Sequence, residues 1–232
     1  MSDSPQLIML PGIGTDERLF EPQKAAFPEA VVPPWIPPKR HERLADYGAR
    51  MAATIRPTGP FLLVGMSFGG AMMLEMAHHL RPEAVVLIAS CRSRRQLSRF
   101  VQAHRPVVRL IPPMAFACSK PFLPLTVGVL GPTTPENRRL CMRMFRDCNP
   151  AWMKWQWTAI LNWESRPLDD IPVYHIHGQA DRIIPAKYVT PDQWVPGGGH
   201  VINLTHADEV NAFLQKAVDV VQLPNPFTED RP

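Results

Sequence analysis

The pentapeptide Gly65-Met66-Ser67-Phe68-Gly69 sets a serine between the apolar run at 61–64 and a helical pattern opening at Phe68. A strand-to-helix turn this tight holds its central residue in a strained conformation, and glycines two positions to either side remove side chains that would collide there. A serine at such a helix N-terminus is a candidate nucleophile, because the helix dipole favours negative charge developing beside it. A plain N-cap serine needs neither the preceding strand nor the flanking glycines. The hydroxyl stays weak until a base takes its proton, and that base has to come from elsewhere in the chain. Of the eight histidines, His200 in VPGGGHVIN stands on a glycine-rich loop between the last strand pattern and the last helical one. Asp181, in HIHGQADRIIP, follows the strand pattern that begins at Val173. A carboxylate there can hold an imidazole in one tautomer and stabilise the imidazolium. Asp169 and Asp170 precede that strand and would fall at its opposite end.

Acyl transfer also needs hydrogen-bond donors for the oxyanion. The Phe68 N–H, directly after the nucleophile, is one candidate, and the Ile13 N–H in PGIGTDERLF is the second. Met66 beside the nucleophile, with Trp152, Trp155 and Trp157, are the candidate pocket residues; Trp163, Phe116, Met142 and Met144 could add to the same apolar lining. Trp152 and Trp155 are three apart and share a helical face. If Arg138, Arg139 or Arg143 faced the pocket, an anionic acyl carrier would fit the site. His175 and His177 are two apart on a strand and share a face, which a metal could use. No third ligand has suitable spacing, so a buried role is favoured and neither metal nor cofactor is expected.

Short apolar runs at 7–10, 61–64, 84–89, 173–176 and 193–195 alternate with amphipathic patterns at 41–56, 68–80 and 206–221. That alternation predicts an α/β fold, a parallel-rich sheet wrapped by helices. Residues 30–32 are a weaker strand candidate that ends in prolines. Thr205 and Asp208 have the spacing of a capping box for the last helix. The stretch 92–170 loses the alternation and carries helical segments, PENRRLCMRMF and the Trp-rich AWMKWQWTAILNW, consistent with an inserted helical cap. The expected organisation is a core of 1–91 and 171–232 around a cap of 92–170. The tail LPNPFTEDRP reads as loose.

The 232 residues can bury one substantial core. The net charge of +4 is uneven: residues 91–170 carry 13 Lys or Arg against 5 Asp or Glu. No aromatic platform is interleaved with those bases, so a solvated cap is favoured and nucleic acid is not an expected partner. No run approaches the length of a membrane span, and no basic leader precedes LIML, so a cytoplasmic location is expected. Cys91, Cys118, Cys141 and Cys148 are scattered without a CxxC pair and read as small buried hydrophobes. Oligomeric state is not legible.

Taken in order, LIMLPGIG, LLVGMSFGG, VYHIHGQADRIIP and VPGGGHVIN resemble the α/β-hydrolase superfamily over nearly the whole chain. The resemblance implies a sheet truncated at its N-terminal strands, a cap inserted after the strand ending near Ala89, and Ser67, Asp181 and His200 as the triad. Pro11-Gly12 stands where many relatives have His-Gly. The expected activity is hydrolysis of a small-molecule carboxylic ester or thioester through an acyl-enzyme on Ser67. C–C bond hydrolysis, lyase or cofactor-free peroxidase chemistry on the same residues is the alternative, and a non-catalytic ligand-binding relative is the second class.

Overall fold

The computed structural model describes residues 4–103, 105–110, 112 and 130–222. Phe116, Cys118 and the tail from 223 lie outside them. Five strands, β1 (Gln6–Leu10), β2 (Phe61–Met66), β3 (Ala84–Ile88), β4 (Val173–Gly178) and β5 (Gln193–Val195), pair in that order, every pair parallel. Their continuous apolar runs follow from helices covering both faces. On one face Met9, Val64 and Ile88 pack with Val210, Phe213 and Leu214 of the C-terminal helix. On the other, Leu10, Leu63 and Leu87 pack with Tyr47, Met51, Met72 and Met76.

The helical patterns appear where their periodicity demands. Helix α1 is Glu21–Ala26, α2 is Leu44–Ala52 and α3 is Phe68–Leu80. Between β3 and β4 run α4 (Arg99–Ala103), α5 (Arg105–Leu110), α6 (Pro135–Asp147) and α7 (Pro150–Leu161); among its described residues this stretch gives the sheet no strand. Thr134 and Asn149 cap α6 and α7, each followed by a proline at the first helical position. Buried Glu75 of α3 accepts bonds from Trp163 Nε1 at 2.7 Å and Arg166 Nη2 at 2.9 Å, tying the end of this stretch back to the core. Among the described residues no helix is long and apolar enough to cross a membrane.

Three expectations change. Residues 30–32 form only one parallel bridge, Ile8 to Val31, because Pro33 and Pro34 have no N–H to extend it. Helix α2 is shorter than the 41–56 pattern: residues 53–54 already form a turn. The last helical pattern, 206–221, forms as α9 (Ala207–Gln222), but a separate short helix, α8 (Ile202–Thr205), precedes it. Thr205 is therefore helical itself, and its hydroxyl bonds back to the Val201 carbonyl at 3.2 Å instead of forming a capping box.

Val31 and β2 flank β1 on opposite sides, so the winding reverses at β1 and leaves a crevice at the carboxyl ends of the strands. The crevice requires close backbone approach: a Cβ on Gly69 would run into the Leu10 carbonyl, and one on Gly65 into the Gly69 backbone. Gly59, by contrast, faces open space, with nothing within 4 Å of such a Cβ. Gly69→Ala should therefore destabilise the protein by about 3 kcal/mol or more. Gly59→Ala should stay within about 1 kcal/mol of wild type; urea denaturation of the two variants checks the contrast.

Candidate active site

Ser67 sits between β2 and α3 with φ 53° and ψ −120°, a conformation that costs a non-glycine residue about 1–3 kcal/mol. Neighbouring bonds hold it there. Its N–H donates to the Ile88 carbonyl at 3.0 Å, and its own carbonyl accepts from Ser90 Oγ at 2.6 Å and Gly70 N–H at 3.0 Å.

His200 follows β5 on the triple-glycine loop. That loop is pinned, not loose: the His200 N–H donates to the Leu130 carbonyl at 2.6 Å, and a Cβ on Gly199 would lie 2.6 Å from the same oxygen. The glycines allow close approach of two backbones. His200 Nε2 lies 2.9 Å from Ser67 Oγ, and Nδ1 lies 2.7 Å from Asp181 Oδ2. The structure thus brings Ser67, His200 and Asp181 into one hydrogen-bonded chain spanning the ends of β2, β5 and β4.

Asp181 is buried, and its Oδ1 accepts the N–H groups of Ile183 at 2.8 Å and Ile184 at 2.9 Å. Burial opposes its ionisation, yet the adjacent His200 and His177, by charge and hydrogen bonding, hold its carboxyl well below the usual carboxylate range. His177 Nε2 is 2.9 Å from the Ile184 carbonyl and 3.3 Å from Asp181 Oδ2, two acceptors, so Nε2 carries the proton. His177 Nδ1 is then an acceptor, and His175 Nε2, 3.1 Å away, donates to it. The H-x-H pair is a buried hydrogen-bonded relay ending on the acid. Among the described residues no group of three His, Cys, Asp or Glu is placed to hold a metal.

Two small cavities meet at Ser67, and both are also lined by Ile13, Trp157 and Ile183. One, of about 40 Å³, includes Phe68, Cys91 and Ile160. The other, of about 90 Å³, includes Gly12, Met66, Cys141, Phe145 and His200. Burial pushes the Cys91 thiol up to about 12 and Cys141 up to about 11, so both stay protonated at neutral pH and neither competes as a thiolate. Phe68 opens α3, so its N–H has no acceptor within the helix.

The expected pocket residues divide. Met66 and Trp157 line the cavities. Trp152 and Trp155 do not: they line a separate groove against residues 38–44, where Trp155 packs on Tyr47 and donates to the Glu42 carbonyl at 3.0 Å. Their shared helical face is real, but the face of α7 turned to Ser67 is the one carrying Gln156, Trp157 and Ile160. Trp163 is spent on Glu75. Arg138, Arg139 and Arg143 are exposed and line neither cavity, which removes the basis for an anionic-carrier site. Gln156 was not singled out by its sequence context. The only signal is an uncharged polar residue in register with Met153 and Ile160, and it is almost fully buried, accepting the Gly14 N–H at 3.2 Å.

Comparison with known proteins agrees with this architecture. The sequence profile of the alpha/beta hydrolase family matches residues 7–213, and the chain belongs to that family. A putative non-heme chloroperoxidase from Synechocystis sp. is 40% identical over 78 residues, 29% of this chain and 26% of that protein's length. An esterase from Exiguobacterium antarcticum superposes with a TM-score of 0.72 at 14% identity, covering 94% of this chain and 93% of that one. An enol-lactonase from Burkholderia xenovorans gives a TM-score of 0.70 at 17% identity, covering 93% and 91%. At these identities the structural likeness speaks to the fold.

The buried relay carries a pH signature. Burial first, then the neighbouring His177 and Arg92, push His175 down to about 3. An unfolded histidine titrates near 6.5, so as pH falls from about 6.5 to about 3 the unfolded chain binds a proton that the folded one refuses. Stability is lost through that window. Between pH 7.5 and 4.5, wild type should lose about 2 kcal/mol more than His175→Gln, measured by urea unfolding at each pH.

Proposed function

We propose that this hydrolase cleaves a small carboxylic ester or thioester through an acyl-enzyme on Ser67. The observation that carries the reading is the unbroken contact chain from Ser67 Oγ through His200 to Asp181, at 2.9 and 2.7 Å. His200 Nε2 takes the serine proton as Oγ attacks the carbonyl carbon, and Asp181 holds Nδ1–H and stabilises the imidazolium. The N–H groups of Phe68 and Ile13 are the proposed donors to the oxyanion. Collapse of the tetrahedral intermediate transfers the imidazolium proton to the departing alcohol or thiol. Water then gives a proton to His200 as it attacks the acyl carbon, and on collapse of the second tetrahedral intermediate His200 returns that proton to Ser67 Oγ as the acid leaves. Residues 92–170 serve as a cap whose α6 and α7 close the cavities, and the small apolar volumes beside Ser67 suit short acyl and leaving groups.

A second reading draws on the chloroperoxidase named above, whose matched segment covers 29% of this chain. In it hydrogen peroxide replaces water as the second nucleophile on the same acyl-enzyme. Product analysis with and without peroxide separates the two.

Incubation with a fluorophosphonate probe should label Ser67 alone, and Ser67→Ala should lose labelling and at least about 10⁴-fold in kcat while keeping its fold. An unlabelled but folded wild type would instead favour a ligand-binding relative. On p-nitrophenyl esters, acetate and butyrate should be preferred over octanoate. Trp157→Ala, which enlarges both cavities, should shift that preference toward octanoate by about 10-fold in kcat/KM.

A further inference from the structure

The loop between β1 and the 3-10 turn at Glu17–Phe20 supplies the proposed second oxyanion donor, the Ile13 N–H. What holds that N–H in place is set by the two peptide planes on either side of Ile13. In the first, the Gly12 carbonyl accepts both the Thr15 N–H at 3.3 Å and the Thr15 hydroxyl at 3.0 Å. No peptide bond among the described residues is cis, so the Ile13 N–H of that plane points opposite to the tethered carbonyl. The plane also lies against the nucleophile: a Cβ on Gly12 would sit 3.2 Å from Ser67 Cβ. In the second plane, the Gly14 N–H donates to the buried Oε1 of Gln156, a residue of α7 and 142 positions away in sequence.

Gly14 itself has φ +68°, and a Cβ there would meet the Phe145 ring of α6 at 2.6 Å and Met153 of α7 at 2.9 Å. The loop is therefore gripped from within by Thr15 and from above by the helices between β3 and β4. Thr15 also lines the larger cavity while Gln156 lines neither, and both restrict the rotation that would turn the Ile13 N–H away from Ser67.

We infer that Thr15 and Gln156 are positioning residues that together fix the orientation of the Ile13 amide, so that the cap helix α7 completes the oxyanion site. The inference rests on the acyl-enzyme reading for its effect on rate, but not for its structural core. Losing one anchor lets the peptide rotate without deleting the donor, so the cost falls below the roughly 10²–10³-fold of removing a donor outright. Thr15→Val and Gln156→Leu should each lower kcat for a p-nitrophenyl ester by about 10- to 100-fold with little change in KM. Affinity for a trifluoromethyl ketone analogue of the tetrahedral intermediate should fall in parallel with kcat/KM, and the pH profile should keep its shape because His200 and Asp181 are untouched. The double variant should lose less than the product of the single losses, since both anchors act on one segment. Thr15→Ser and Gln156→Glu, which keep an acceptor or donor of the same kind, should recover most of the rate.

Amide hydrogen exchange tests the anchoring without reference to turnover. In wild type the Gly14 amide should be protected, and Gln156→Leu should speed its exchange at least about 10-fold while β1 amides stay slow. Unchanged Gly14 exchange, or variants whose loss lies in KM alone, overturns the inference. A wild type that shows the predicted exchange but neither labels at Ser67 nor turns over any ester overturns the acyl-enzyme reading and leaves the anchoring standing.

Discussion

One imidazole has to reach two partners at once. His200 spans 2.7 Å to Asp181 on one side and 2.9 Å to Ser67 on the other, so three segments far apart in sequence must end within a single ring's breadth. A parallel sheet meets that demand because all its strands finish at the same edge. β2 ends at the serine, β4 ends just before the acid, and the loop after β5 carries the histidine; β3, between β2 and β4, ties itself to the elbow through the Ile88 carbonyl and Ser90. The positive φ of Ser67 is the local cost of this convergence, and the bonds from β3 and Gly70 offset it.

Bringing a carboxylate into that crevice means burying it, and a buried charge is tolerated only when its lone pairs are filled. Asp181 meets two backbone N–H groups and His200, with His177 Nε2 at the longer distance of 3.3 Å. The saturation has a structural consequence one layer further out. His177 Nε2 faces the Ile184 carbonyl and Asp181, which leaves its Nδ1 to meet His175 Nε2 at 3.1 Å. A buried pair of histidines bonded in series is thus a corollary of one ionised acid, and the downward shift of His175 makes the core acid-sensitive at a point remote from solvent.

The pieces that were legible in sequence are those whose constraint is local. The glycines around Ser67 have to be glycines because backbone passes where a Cβ would be, and this is visible within five residues. Asp181 and His200 were recognisable because each follows an apolar run. What stayed hidden depends on how elements are rotated or pressed together. The helical phase of α7 is plain in the sequence, but not which face it turns to Ser67, so the sequence offers Trp152 and Trp155 as pocket residues and does not mark Gln156. The triple glycine before His200 marks only a loop in the sequence, whereas in the fold it lets that loop lie on the Leu130 carbonyl. The capping box expected at Thr205 and Asp208 is absent for a similar reason: Thr205 is already committed to α8.

The same division, between what the sheet edge dictates and what the helices above it add, bears on how chemistry and selectivity are partitioned. Every residue that moves a proton in the proposed reaction follows a strand end; backbone bonds within the sheet and its loops hold Ser67 and Asp181, and His200 adds one bond to the Leu130 carbonyl. The walls of both cavities, in contrast, draw on α6 and α7 through Cys141, Phe145, Trp157 and Ile160. Substitutions in α6 and α7 can therefore change what fits beside Ser67 without removing either bond of the Ser67–His200–Asp181 chain. Gln156 goes further, because it reaches from α7 into the loop that carries the proposed oxyanion donor. Through that single bond, the seating of α7 bears on the rate of the chemical step as well as on the choice of substrate.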